Sequence, residues 1–182
     1  DVTRLGLTAY SVAVDRVSKL KPNRNCLILD YGGGTGRVGQ ALYDNGYTQL
    51  HISDGSAQML GKAAERGIYQ RSFEEIVPKH ARAKFLENNG LKYDVVVASM
   101  VGEVDTELVQ QIMLENLKPE GLFVLLGAHV YVGLEEWALA EASRPESAFE
   151  LVENSADSPF EQAPYRNIYT DKKLHVMILR KK

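Results

Sequence analysis

Sulfur, tryptophan and long apolar runs are scarce in this chain. Of 182 residues one is cysteine, Cys26, so no disulfide can form within the chain and no thiolate cluster can hold a metal. Cys26 heads an apolar run, where it reads as a packing residue, and this cysteine usage points to a reducing, intracellular compartment, most simply the cytoplasm. No apolar stretch nears the ~20 residues that a membrane helix requires, and no signal-peptide pattern opens the chain at Asp1. Neither sign of charge dominates, for 21 Lys and Arg stand against 24 Asp and Glu, giving a net charge of −3 and a pI of about 5.8. Nucleic-acid binding calls for a concentrated basic face, whereas basic residues gather here only in Arg180-Lys181-Lys182 and over 79–84, which read as solvated surface. Repeats, low-complexity tracts and linker-like breaks are also lacking. The expectation is a single domain over 1–182, with an opening helix in 1–21, a ligand-binding core in 22–127 and a closing segment in 128–182.

The most informative stretch runs from Cys26 to Gly39. An apolar run, Cys26-Leu27-Ile28-Leu29, reaches Asp30 and then breaks into four glycines within five residues, Gly32, Gly33, Gly34 and Gly36, before a helical pattern begins. A strand, a tight turn and a helix start are the natural reading. Glycine removes the Cβ that keeps a ligand off the backbone, and the helix start offers unpaired amides to polar ligand groups. Asp30 at the strand end repels a pyrophosphate but suits an ammonium or a water network, so a zwitterionic amino-acid moiety fits better than a dinucleotide. A second apolar run, Leu50-His51-Ile52-Ser53, ends at Asp54, 18 residues beyond Gly36 and close to the spacing at which an acid on a second strand meets a ribose. A carboxylate can accept from both ribose hydroxyls, each such charge-assisted bond being worth roughly 1.5–3 kcal/mol.

Four blocks then recur in order: Leu29 to Gly36, Asp54-Gly55-Ser56-Ala57-Gln58-Met59-Leu60, Tyr93-Asp94-Val95-Val96-Val97, and Leu117-Lys118-Pro119-Glu120-Gly121 leading into Leu122-Phe123-Val124-Leu125-Leu126. In these blocks the chain resembles the class I S-adenosylmethionine-dependent methyltransferases. Within them it is most similar to the methyltransferase-like family named for the Williams-Beuren syndrome region. That narrower likeness rests on Leu5 to Tyr10, on Gly67-Ile68-Tyr69-Gln70-Arg71 and on Tyr165-Arg166-Asn167-Ile168-Tyr169. The chain departs from the family at Gly33, where a cysteine is usual, and lacks ahead of Asp1 the short Tyr-Asp stretch that often covers the cofactor.

The resemblance implies methyl transfer from S-adenosylmethionine to a small-molecule acceptor, leaving S-adenosylhomocysteine. It assigns cofactor contacts to Asp30, Gly32, Gly34, Gly36, Asp54, Gly55 and Met59. At the end of the third strand, Ser72, Phe73 and Glu74 are candidates for the adenine, with core packing and a helix start as the alternative roles of Phe73 and Glu74. After the fourth strand Ser99 and Met100 border the methionine part. Glu103 is a candidate general base, although acids also favour helix starts. His129 is better placed, because an imidazole takes a proton near neutral pH. Tyr10, Tyr131, Trp137, Tyr165 and Tyr169 are candidates for walls of an acceptor pocket or for core packing. No Asn/Asp-Pro-Pro-Tyr signature and no catalytic cysteine pair is present, so amino-group methylation of adenine or glutamine and cytosine methylation are not indicated.

Periodicity places helices over 7–20, 38–45, 58–66, 79–88, 106–117 and 135–142, and strands over 26–31, 50–53, 69–73, 93–98, 122–126, 149–153 and 174–179. Alternation of this kind predicts a parallel sheet with ligands at the carboxyl ends of its strands. With the resemblance, the expected fold is a Rossmann-like, doubly wound α/β sheet, mostly parallel, with an antiparallel closing strand and helices on both faces. Two other readings share the glycines and Asp54. One is a nicotinamide-dependent oxidoreductase, and the other a non-catalytic cofactor-binding or partner-binding protein.

Overall fold

The computed structural model describes residues 2–74, 90–99, 101, 106–127, 132–157 and 174–182. An opening helix α1 (Val2–Leu20) leads into β1 (Ile28–Tyr31), α2 (Arg37–Asp44), β2 (Leu50–Asp54), α3 (Ala57–Ala64) and β3 (Arg71–Glu74). After β4 (Tyr93–Ser99) come α4 (Thr106–Gln111), a π-helical segment (Ile112–Asn116), β5 (Leu117–Gly127), α5 (Val132–Ala142), β6 (Phe149–Asp157) and β7 (Leu174–Lys181). The helix expected over 79–88 lies outside the described residues.

Seven strands form one sheet in the order β3-β2-β1-β4-β5-β7-β6. The first five run parallel, and β7 inserts antiparallel between β5 and β6. This is the expected doubly wound sheet with an antiparallel close. Its central strands are buried on both faces, so they read as continuous apolar runs, and their side chains divide by the strand period of two. Leu29, Tyr31, Val96 and Ala98 join Leu108, Ile112 and Leu134 on one face, while Ile28, Val95, Val97 and Val124 join Ala13, Val17 and Leu42 on the other.

In α1 the fully buried positions are Ala9, Ala13 and Val17, one every four residues, whereas Val12, Val14 and Leu20 are only partly covered. The larger residues set the expected periodicity, but the small ones sit at the contact because an alanine lets a helix lie close to the sheet. Arg16 then ties the helix to the far edge, its Nε donating to Glu153 Oε2 of β6 at 2.9 Å.

The expected strand over 122–126 is longer, because β5 contains an irregularity. Tyr93 pairs with Leu117, the next pair is Val95 with Leu122, and the intervening Lys118-Pro119-Glu120-Gly121 bulges out with Glu120 at φ 63°. Asp94 fastens this corner by accepting from the Leu27 amide and from Lys118 Nζ, both at 2.8 Å. The Tyr-Asp-Val block is thus a structural joint at the amino ends of the strands, away from the glycine turn.

In α3, Gly61 offers a simple test of packing. A Cβ built there meets nothing within 4 Å, and the residue is helical and exposed. Gly61→Ala should stabilise the fold by about 0.5–1 kcal/mol and raise the melting temperature by about 1–4 °C, as read by calorimetry.

Candidate functional site

The turn between β1 and α2 is built of left-handed glycines at alternate positions, with φ of 63° at Gly32, 55° at Gly34 and 76° at Gly36. The end of β2 holds it in place. The Gly33 amide donates to the Ser53 carbonyl at 3.0 Å, and the Gly34 amide donates to Asp54 Oδ2 at 2.8 Å. Asp54 Oδ1 meanwhile accepts from the Ser56 amide at 2.9 Å. Asp54 therefore clamps the turn and the start of α3 to each other, and each oxygen retains acceptor capacity for a ligand. Ser56 caps α3, its Oγ accepting from the Met59 amide at 3.3 Å. This cap leaves Met59 exposed over the outer side of the clamp, with Leu60 buried behind it.

The side chains missing from the glycines show which have a protein reason. A Cβ at Gly32 would lie 2.8 Å from Val101, one at Gly33 would lie 2.7 Å from Asp30 Cγ, and one at Gly36 would lie 2.8 Å from the Tyr69 ring. At Gly34 a Cβ would meet none of the described residues within 4 Å. The described residues thus leave the space beside Gly34 open at the carboxyl ends of the strands.

Asp30 lies beneath the turn and is buried. Its Oδ2 accepts from the Tyr69 hydroxyl at 2.6 Å and from the Gly39 amide at 3.1 Å, whereas Oδ1 is buried without a partner among the described residues. Burial is the largest influence on its carboxyl, pushing its pKa up to about 6 against the pull of the two hydrogen bonds, with the Asp54 charge pushing the same way as burial. Because this value lies above the ordinary 3.8, the folded chain holds the Asp30 proton more tightly than the unfolded chain does. The resulting contribution to stability is complete below pH 3.8 and is lost as pH rises through about 6. Asp30→Asn keeps an acceptor for both donors and cannot ionise. Relative to this variant, the parent should lose about 1–3 kcal/mol of stability between pH 5 and pH 7.5, as read by urea denaturation at both pH values. An unchanged difference would place the titration elsewhere.

Ser99 ends β4 two residues after Val97, the register partner of Asp30, and so projects to the same face as Asp30. Its Oγ is likewise buried without a partner among the described residues. On β3, Glu74 is the register partner of Asp54, and Ser72 shares that face. Phe73 turns to the opposite face, where its ring stands edge-on to His51 at 6.0 Å. The structure therefore brings Ser72 and Glu74 alongside Asp54 at one edge and separates them from Phe73. Gly55 is exposed between Asp54 and the Ser56 cap. Trp137 packs on Phe149 at 5.9 Å, and Tyr10 of α1 is packed against the core. Met100, Glu103, His129, Tyr131, Tyr165 and Tyr169 lie outside the described residues.

Tyr69 was not among the expected site residues. The sequence places it at the start of the strand expected over 69–73, and nothing local reveals that its hydroxyl returns to an acid 39 positions earlier.

The buried, unpartnered oxygens of Asp30 and Ser99 fit the polar, zwitterionic end of S-adenosylmethionine, and the open side of Gly34 fits a ligand lying against the backbone. A sheet of this order, with a glycine turn after β1 and an acid ending β2, defines the fold of the class I methyltransferases. Residues 28–121 match the methyltransferase domain family, and the chain belongs to it. Over 73 residues it is 42% identical to human methyltransferase-like protein 27, a match that takes in 39% of this chain and 30% of that protein. Among solved structures it is similar to magnesium protoporphyrin IX methyltransferase from Synechocystis PCC 6803 with bound S-adenosylmethionine. The TM-score is 0.66 at 17% identity, covering 99% of this chain and 81% of the other. It is similar also to the [4+2]-cyclase SpnF, with a TM-score of 0.64 at 16% identity, covering 92% of this chain and 79% of the other. At such identities the likeness is one of fold.

Asp54→Ala removes a clamp, and with it the acceptor expected for a ribose, without removing core packing. It should weaken S-adenosylhomocysteine binding by ~10–100-fold in calorimetric titration. Parent-like affinity would confine Asp54 to its two backbone contacts.

Proposed function

We propose that the chain binds S-adenosylmethionine along the glycine turn and transfers its methyl group to a small-molecule acceptor, releasing S-adenosylhomocysteine. The observation that carries this reading is the open side of Gly34, bounded by the Asp54 carboxylate and by the face that holds the unpartnered Asp30 and Ser99 oxygens. The cofactor supplies a methyl group activated by its sulfonium. The chain's own task is alignment, which alone can lower a barrier by roughly 7–11 kcal/mol. Asp54 accepts from the ribose hydroxyls, with Gly55 and Met59 beside it. Ser72, Phe73 and Glu74 are candidates for the adenine end, Glu74 and Ser72 being favoured by their place beside Asp54. Asp30, Gly32, Gly36, Ser99 and Met100 serve the methionine end. His129 is the first candidate general base and Glu103 the second, and a thiol or amine acceptor needs neither.

The kinship with the Williams-Beuren region family, a small-molecule acceptor rather than a macromolecule, and a cytoplasmic location belong to this proposal. The Gly67-Ile68-Tyr69-Gln70-Arg71 segment supports the first, and the single buried Cys26 supports the last. Among the described residues no helix is long and apolar enough to cross a membrane.

A thermal-shift panel tests the binding step. S-adenosylmethionine and S-adenosylhomocysteine should raise the melting temperature and nicotinamide dinucleotides should not, since a ligand bound only by the folded state stabilises it. Stronger stabilisation by a dinucleotide would favour the oxidoreductase reading. Methyl transfer from labelled cofactor into a metabolite extract, with heat-killed protein as control, tests the second step. Binding without transfer would favour a non-catalytic role.

A further inference from the structure

The connection from α3 to β3 reaches back to the glycine turn at two points. Arg66 Nε donates to the Thr35 carbonyl at 2.6 Å, and the Tyr69 hydroxyl donates to Asp30 Oδ2 at 2.6 Å. The Tyr69 ring also fills the space that side chains at Gly36 and Gly39 would occupy, and it packs with Ile52, Leu60 and Ala63. Its hydroxyl is therefore wedged between α2 and the acid beneath the turn. Among the described residues the Gly39 amide is the other donor to Asp30, and Asp54 brings a second negative charge. Arg66 faces the tyrosine and eases the charge around it.

We propose that Tyr69 is a positioning residue for the cofactor, holding Asp30 ionised and aimed beneath the glycine turn so that its free oxygen meets the ligand's ammonium. This rests on the assignment of S-adenosylmethionine to the turn. The hydroxyl does two things at once. It gives the buried carboxylate a short bond that favours the charged form, and it fixes which oxygen remains free. The Tyr69 hydroxyl itself stays protonated, because burial and the adjacent acid both raise its pKa. Affinity for the cofactor's amino-acid end should consequently rise with pH as Asp30 loses its proton, and the position of that rise should depend on Tyr69.

Tyr69→Phe keeps the ring and deletes the hydroxyl. S-adenosylhomocysteine affinity is to be measured by calorimetry from pH 5 to pH 8.5 in the parent, Tyr69→Phe, Asp30→Asn and the double variant. The expected result is a loss of about tenfold at pH 7.5 in Tyr69→Phe, with the inflection of affinity against pH displaced upward. Both the inflection and the effect of Tyr69→Phe should vanish in the Asp30→Asn background. A purely structural tyrosine would lower the melting temperature without moving the inflection. Affinity within twofold of the parent, an unmoved inflection, or an inflection that survives in Asp30→Asn would overturn the proposal, and the Asp30→Asn arm decides even where Tyr69→Phe folds poorly. If the parent binds no S-adenosylhomocysteine at any pH, the cofactor assignment fails and the proposal with it. Failure of the proposal alone leaves parent binding intact.

Discussion

Gly34→Val is expected to weaken S-adenosylhomocysteine binding by ~100-fold or more while leaving a folded protein. At Gly32, Gly33 and Gly36 the missing side chain is replaced by Val101, Asp30 and Tyr69, so substitution there is a packing injury first. Gly34 differs because its missing side chain points into open space. A valine there would stand where a ligand must approach the backbone. The left-handed φ of 55° adds strain of about 1–2 kcal/mol for a residue with a Cβ, more for a branched one. For a chain of this size, such strain lowers the melting temperature by roughly 2–8 °C. The prediction is thus a modest loss of stability with a large loss of affinity, read by scanning and titration calorimetry on the same sample. A valine variant that binds like the parent would remove the argument that the turn is a ligand cradle.

At Gly39 the expected damage is to the fold. Alanine normally stabilises a helix over glycine by about 1 kcal/mol, and Gly39 lies in α2. Here, however, a Cβ would come within 1.9 Å of the Tyr69 hydroxyl and 2.4 Å of its ring. The tyrosine would have to withdraw, leaving Asp30 buried with one fewer donor. Overpacking typically costs about 1–3 kcal/mol, and an abandoned buried acceptor about 1–3 kcal/mol more. Gly39→Ala should therefore destabilise the protein by about 2–5 kcal/mol in urea denaturation, opposite in sign to Gly61→Ala. Because the clash requires the ring, Gly39→Ala combined with Tyr69→Ala should be less damaging than the two single losses added together. Additive losses would show that the helix and the tyrosine are not in contact.

The expected and observed elements agree where a single local pattern sufficed and diverge where a distant partner intervened. The strand expected from Cys26 joins the ladder at Ile28, since the Leu27 amide is taken by Asp94 from another strand. The helix expected over 106–117 changes after Gln111 to π-helical winding and gives way at Leu117 to β5, which the Lys118-to-Gly121 bulge had hidden by separating its first residue from the apolar run. Ser72, Phe73 and Glu74 stood together at the end of the expected third strand as candidates for the adenine. Once paired with β2 they divide between two faces, because a strand's side chains alternate.

The sequence by itself determined the alternation of strands and helices, the glycine turn after the first strand and the acids at the ends of the first two. These are local matters of apolar period, backbone conformation and residue size, each legible within a dozen neighbours. The tertiary structure alone decided that Asp30 is buried under the turn rather than exposed beside it, and that Asp54 clamps two loops. It likewise decided that Gly39 is glycine because of Tyr69, and that Gly34 is the turn glycine whose missing side chain leaves open space. Each of these depends on where β2 and the segment before β3 lie against β1. That placement follows from burying the sheet's two faces as a whole, and no window of sequence contains it.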